Sequence, residues 1–401
     1  MPKLTLPLTK ALHLALSVLA LLLFTSCPRV PSAIETGTGY DLSKPIYREV
    51  RVIELRLPDG VPPIRQATSL AVGEGELYIA DGDRARVLVF DLEGNFRRQI
   101  GNGKRIAPYQ IPIEAVQDND IWLKKEELPP ELEQWYEKRE FFRPLGVRYF
   151  EGRVFILTDY ISSGAKQTLY KPGIWIYTPE GEFEDEIKLV NAMGPFLDVS
   201  EGSAAVADRW MLGVEVHSAE SGKLLGILGM KMSFRQLIRN LAAVEESRRE
   251  AYIKGIVNSG TDLGKFGGLM GGVDIFHGKV LVADPGNSRI QILRLDASPM
   301  QSIDGLEEGV VRFKTPLLVE VSPEGEIFVW DYTLRQFSLL NPDFSLAYQF
   351  GYGKVENPVD MQYAEGLGLL VLDSKGRVHL FAKARINPRT GEVIETGGGS
   401  E

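Results

Sequence analysis

Residues 69–101 read SLAVGEGELYIADGDRARVLVFDLEGNFRRQIG. Apolar stretches at 69–72, 77–80, 86–90 and 96–100 are separated by Gly73-Glu74-Gly75, Asp81-Gly82-Asp83 and Glu93-Gly94, and Gly101 closes the last. Short apolar runs punctuated by turn residues at this spacing describe four antiparallel strands joined by tight turns. The second run ends in Asp, and that phrase recurs along the chain. Leu77-Tyr78-Ile79-Ala80-Asp81 is followed by Val154-Phe155-Ile156-Leu157-Thr158-Asp159 and Ala204-Ala205-Val206-Ala207-Asp208. Val280-Leu281-Val282-Ala283-Asp284, Ile327-Phe328-Val329-Trp330-Asp331 and Leu369-Leu370-Val371-Leu372-Asp373 complete the set. Repetition of a four-stranded unit at this period indicates blades of a β-propeller.

The units run over 69–101, 145–187, 196–228, 273–303 and 317–350, and a sixth begins at Val359. This last unit stops after Val378-His379-Leu380-Phe381, one strand short. Upstream, residues 47–57 (YREVRVIELRL) alternate apolar and polar like a half-buried strand, with no hairpin partner nearby. One deficit matches the other. The expected fold is all-β, a six-bladed propeller over 47–384 in which the N-terminal strand completes the last blade and removes an open sheet edge. Residues 385–401, rich in Pro, Thr and Gly, read as a disordered tail.

Two of the units carry a further likeness. Ala283-Asp284-Pro285-Gly286-Asn287-Ser288-Arg289-Ile290-Gln291-Ile292 resembles the NHL repeat, as does Ile79-Ala80-Asp81 with Arg86-Val87-Leu88-Val89-Phe90. The resemblance implies a six-bladed propeller, in agreement with the strand count. It does not select between the binding modules and the enzymes that share this repeat.

Because strands alternate in direction, the second-to-third link of each blade lies on the same face as the blade-to-blade link. The repeated Asp residues occupy the former, and two insertions, 102–143 and 230–269, occupy the latter. All elaboration is therefore expected on one face. The first insertion carries Trp122, Trp135, Tyr136, Phe141 and Phe142. In the second, Phe234, Leu237, Ile238 and Leu241 recur at helical spacing, and Glu245, Glu246, Arg248, Arg249 and Glu250 follow. These segments either cap the ring or frame a groove. The aromatics, with Arg248 and Arg249, are the candidate binding residues, since aromatic and Arg side chains anchor interfaces.

Catalytic chemistry finds little footing. Asp81, Asp159, Asp208, Asp284, Asp331 and Asp373 read as structural. Asp accepts backbone N–H bonds in turns, and an Arg four or five residues on (Arg86, Arg289, Arg335, Arg377) could lock the turn. Calcium in a central channel stays open, because converging carboxylates suit a hard cation. His217, His277 and His379 show no metal-site spacing, and neither a G-x-S-x-G nor a phosphate-loop motif occurs. No catalytic residue is assigned.

Composition supports a soluble domain: 401 residues, 44% hydrophobic, 25% charged and a net charge of −9. That charge and the lack of a basic stripe exclude nucleic acid as the expected partner. At the N-terminus, Lys3 and Lys10 precede an apolar run at 11–24 and then Thr25-Ser26-Cys27, the only cysteine. This arrangement resembles a bacterial lipoprotein signal over 1–26, with Cys27 lipidated and 27–46 a tether; ordinary signal cleavage and an uncleaved anchor are the alternatives. Pro28 after the cysteine, in place of an acidic residue, favours export to an outer membrane where the host has one. The sequence thus leads to a lipid-anchored envelope protein that binds another envelope protein or an extended ligand. The alternative is a metal-dependent, lactonase-like hydrolase or a lyase at the channel mouth.

Overall fold

The computed structural model describes residues 46–105, 143–158, 173–190, 194–208, 212–229, 243–248, 258–304, 313–386 and 393–396. They form six antiparallel sheets in a ring. The first blade comprises β2 (Ala67–Gly73), β3 (Glu76–Asp81), β4 (Arg84–Asp91) and β5 (Phe96–Arg105). The second has β6 (Pro144–Phe150), β7 (Arg153–Thr158), β8 (Gly173–Tyr177) and β9 (Phe183–Lys188). The third has β10 (Phe196–Ser200), β11 (Ser203–Asp208), β12 (Gly213–Ser218) and β13 (Leu224–Leu228). The fourth has β14 (Val273–Phe276), β15 (Lys279–Asp284), β16 (Arg289–Arg294) and β17 (Pro299–Ile303). The fifth has β18 (Pro316–Val321), β19 (Ile327–Asp331), β20 (Gln336–Leu340) and β21 (Leu346–Phe350). In the sixth, β22 (Pro358–Ala364), β23 (Gly368–Asp373) and β24 (Val378–Ile386) are completed by β1 (Ile46–Ile53) from the other end of the described chain.

Each blade is apolar on both sides because both sides are covered. Six buried clusters lie between successive blades, and the last of them joins blade six to blade one. Closure relies on β1. It pairs with β24 from Ile46↔Ala384 to Ile53↔Val378, with a bulge between Glu49 and Arg51. Tyr47, only 1% exposed, inserts between blades five and six. Its ring meets Phe328 edge-on at 4.9 Å and stacks on Phe350 at 5.9 Å, and its hydroxyl donates to Glu326 Oε2 at 3.0 Å. The backbone N–H of Tyr47 donates to the Tyr348 hydroxyl at 2.8 Å. An alternating strand was legible; the aromatic socket that receives it was not.

Four boundaries differ from expectation. Strand β5 continues to Arg105, which pairs with Arg84, so residues 102–105 belong to the sheet and not to the first insertion. Residues 258–269 are likewise built into the ring: Phe266 is fully buried between blades three and four. Gly267 lies there so close to Gly286 that an added Cβ would stand 2.2 Å from the Gly286 carbonyl carbon. In the tail, Val393–Thr396 forms β25, which pairs with β24; three β-branched residues in the tetrad VIET outweigh the surrounding Pro and Gly. Finally, Pro144 pairs with Thr158 as Ala67 pairs with Asp81, Pro316 with Asp331 and Pro358 with Asp373. The repeat position of blade two is therefore Thr158. Asp159, one residue further, lies outside the described residues.

Candidate functional site

The repeated Asp residues do more than fix a turn. Asp81, fully buried, accepts the backbone N–H groups of Arg65 and Gln66 at 3.2 and 3.1 Å, in the segment that leads into the inner strand β2. Arg86 donates two bonds to Asp81 at 3.0 and 2.9 Å and reaches the carbonyls of Pro62 and Pro63 at 2.7 and 3.1 Å. Blade four repeats the arrangement. Asp284 accepts from Gly267 N–H at 2.9 Å, and Arg289 binds Asp284 and the carbonyls of Thr261, Asp262 and Lys265. Each pair thus clamps the incoming link of its own blade to the end of the second strand. Asp331 accepts from the backbone of Lys314, Thr315 and Leu334; Arg335, expected as its partner, is exposed and donates only its backbone N–H, to the Asp331 carbonyl. Asp373 takes Arg377 at 2.8 Å and the N–H groups of Lys375 and Arg377. Asp208 is fully buried at the corresponding position.

His379, 2% exposed, ties this clamp to the closing strand: Nδ1 lies 2.7 Å from Glu49 Oε1 on β1, and Nε2 lies 3.4 Å from Asp373 Oδ2. Burial disfavours its charge, but the bonds to Asp373 and Glu49 outweigh burial and raise its pKa. Asp373 is likewise penalised by burial, yet His379 and Arg377 hold it down at about 2. His217 is buried between Glu215 Oε1 at 2.6 Å and the Gly222 carbonyl at 3.0 Å, whereas His277 is exposed in a turn.

Register exposes a second ring, along the axis. Three residues before each repeat position, the second strand pairs with Ala71, Arg148, Asp198, Asp274, Glu320 and Gln362 of the six inner strands. Inner strands carry unpaired backbone N–H groups on their axial edge, and these need acceptors. The ring supplies them from blade to blade. Asp198 Oδ2 accepts from Ile275 N–H at 2.9 Å, Glu320 Oε1 from Tyr363 N–H at 2.7 Å, and Gln362 Oε1 from Val72 N–H at 2.8 Å, while Asp274 faces the Val321 amide. A layer closer to the links, Asp360 accepts from Leu70 N–H at 3.0 Å and Ser69 Oγ from Val147 N–H at 3.0 Å.

Arg148 is the lone cation among four carboxylates. Its guanidinium binds Asp360 through Nη1 at 2.8 Å and Nη2 at 3.1 Å, and its Nε lies 3.4 Å from Asp198. Burial opposes its charge, but Asp360, Asp198 and Glu320 outweigh burial and hold its pKa above the ordinary value. One guanidinium does not offset all four acids. Burial, with Glu320 and Asp198 adjacent, pushes Asp274 well above the carboxylate range; burial and Asp198 do the same to Glu320. Asp274 Oδ2 has no hydrogen-bond partner. Among the described residues no group of three or more His, Cys, Asp or Glu is arranged to hold a metal ion.

Above this layer opens a cavity of about 290 Å³, lined by the beginnings of the inner strands of all six blades. Ser69, Arg148 and Asp360 form its polar floor, and Leu145, Phe196, Leu197, Val273, Leu318 and Met361 contribute an apolar collar. It opens on the face that carries the blade-to-blade links. Arg143, where the chain rejoins the ring after the first insertion, lines its rim. Of the expected binding residues, Arg248 is exposed in a short 3-10 turn beside Glu245. Trp122, Trp135, Tyr136, Phe141, Phe142, Arg249 and Cys27 lie outside the described residues.

The fold and the axial cavity define a six-bladed β-propeller. No family model matches the chain, and neither does any curated protein. Among solved structures it is similar to the computationally designed Ika8 protein (11% identity, TM-score 0.36, covering 79% of this chain and 70% of that one). It is also similar to the WD40 β-propeller domain of Doa1 (8% identity, TM-score 0.44, covering 84% and 97%). The blade count rests on the six sheets themselves, and neither likeness bears on function.

Proposed function

We propose that this propeller is a lipid-anchored module of a bacterial envelope that binds another envelope protein or an extended ligand through its link face. The observation that supports the reading is the axial cavity. It opens on the face that carries the links and the clamped Asp positions, where the chain leaves and rejoins the ring at both insertions, and every blade contributes to its wall. Concave, mostly apolar sites with a few placed polar groups are where ligands bind. Anchoring through Cys27 would leave the propeller free at the end of a tether. In-cell crosslinking of the native protein, compared with a form lacking residues 106–142, tests the reading. A partner is expected from the intact form only; equal capture by both forms would remove the insertion from the binding surface.

A further inference from the structure

The six inner strands do not present the same edge to the axial cavity. Leu70, Val147, Leu197, Val273, Val319 and Met361 hold one register position, each paired with the residue two before the repeat position. An antiparallel strand turns the N–H and C=O of one residue to the same side, and at this position that side is the axis. In blades six, one and two these groups are taken. Leu70 N–H donates to Asp360 Oδ2 at 3.0 Å, Val147 N–H to Ser69 Oγ at 3.0 Å and Met361 N–H to Asp360 Oδ1 at 2.9 Å. Arg148 Nη1 donates to the Leu70 and Val147 carbonyls at 3.0 and 2.9 Å. In blades three, four and five, no side chain or link among the described residues bonds to the backbone of Leu197, Val273 or Val319, and all three line the cavity.

One half of the wall is therefore bare peptide, and the other half is closed on itself. Asp360 already accepts from Ser69, Leu70, Met361 and both Arg148 Nη atoms, which exhausts its lone pairs. Gly272 keeps the bare half open, since an added Cβ there would stand 3.2 Å from the Val319 nitrogen. Asp198, Asp274 and Glu320 follow Leu197, Val273 and Val319 directly, about 3.3 Å further along each strand. A carboxylate against the bare amides would stand beside those acids, and an ammonium would meet the paired Arg148 guanidinium. An uncharged amide avoids both: its carbonyl accepts from a strand N–H and its NH2 donates to a strand carbonyl. We infer that the axial cavity takes the primary amide of an Asn or Gln side chain of the partner, with the stem against Leu145, Phe196 and Leu317 and the head on the backbone of Leu197, Val273 and Val319. A cavity of about 290 Å³ closed at its floor suits the tip of a side chain better than a passing main chain.

The inference rests on the binding reading above but fails separately from it. Calorimetric titration of the purified full chain with pentanamide, pentanoate and pentylammonium tests it. Pentanamide should bind at least about tenfold more tightly than either ion, the worth of one to two net hydrogen bonds. Hydrogen–deuterium exchange under saturating pentanamide should slow in β10, β14 and β18 and stay unchanged in β6 and β22. Gly272→Ala sets a methyl beside the Val319 amide and should weaken pentanamide binding about three- to tenfold, the loss of one contact. Either ion binding as tightly as pentanamide, no binding of pentanamide, slowed exchange in β6 or β22 alone, or undiminished affinity in the folded variant would each overturn it. The two wild-type readouts decide the matter even if the variant fails to fold. Tighter binding of N-methylpentanamide, which mimics a main-chain unit, would overturn the side-chain assignment. Capture of a partner through the link face would survive all of these outcomes.

Discussion

Replacing Tyr47 with Ala should open the ring at its seam. The side chain is buried to 1% exposure among Phe328, Phe350 and Tyr348. Truncation of a buried aromatic costs about 3–5 kcal/mol, and here it also removes the hydroxyl bond to Glu326. Tyr47→Phe keeps the ring contacts and loses only that bond, worth about 1 kcal/mol, and Lys383 at 2.9 Å still pairs with Glu326. The two variants therefore separate packing from hydrogen bonding. Limited trypsinolysis reads the seam directly, because Arg48 and Arg51 lie on β1. Where cleavage follows the open population, a 3–5 kcal/mol loss at the seam raises its rate on the order of 10²–10⁴-fold for Ala. The Phe variant should change it less than about tenfold. Cleavage of the Ala variant at the wild-type rate, with an unchanged urea midpoint, would refute closure by β1.

Arg86→Met should cost about 3–5 kcal/mol in urea unfolding, since it leaves fully buried Asp81 without its cation; the Asp81→Asn, Arg86→Met double variant should recover part of that loss. Gly267→Ala forces a Cβ against the Gly286 backbone, and a destabilisation of about 1–3 kcal/mol is expected. The raised pKa values of Asp274 and Glu320 mean that their contribution is intact below the unfolded carboxylate pKa and is lost as pH rises through the folded values. Wild-type stability should therefore decline above about pH 5, and Asp274→Asn should flatten the decline and be the more stable protein at pH 8.5. A parallel pH profile for the variant would contradict that assignment.

The blades were legible because the Asp-terminated apolar phrase is a physical unit: a buried second strand whose last residue clamps the incoming link. Its length is also why blade two was misread. The phrase ending Thr158-Asp159 is one residue longer, and only pairing with Pro144 selects Thr158. The axial ring was illegible as a motif, since Ala71, Arg148, Asp198, Asp274, Glu320 and Gln362 share no residue type, only a register. A usable signal was present nonetheless. Single charges interrupt short apolar strands in PLGVRYF, FLDVS, VDIF and PLLVEV. A charge at such a position is costly unless it is paired or useful. The seam was anticipated from two unmatched strand counts, while the socket for Tyr47 depends on residues more than 270 positions away in sequence, such as Phe328 and Glu326.

The most direct test of the binding reading is in-cell photocrosslinking of the native, full-length protein from a single photoreactive residue. One form carries it at Phe196, on the collar of the axial cavity, and the control carries it at Glu365, in the β22–β23 turn on the opposite face. The account predicts a discrete adduct from position 196 and none from position 365. An adduct from position 365 alone would place the binding surface on the other face and contradict the account.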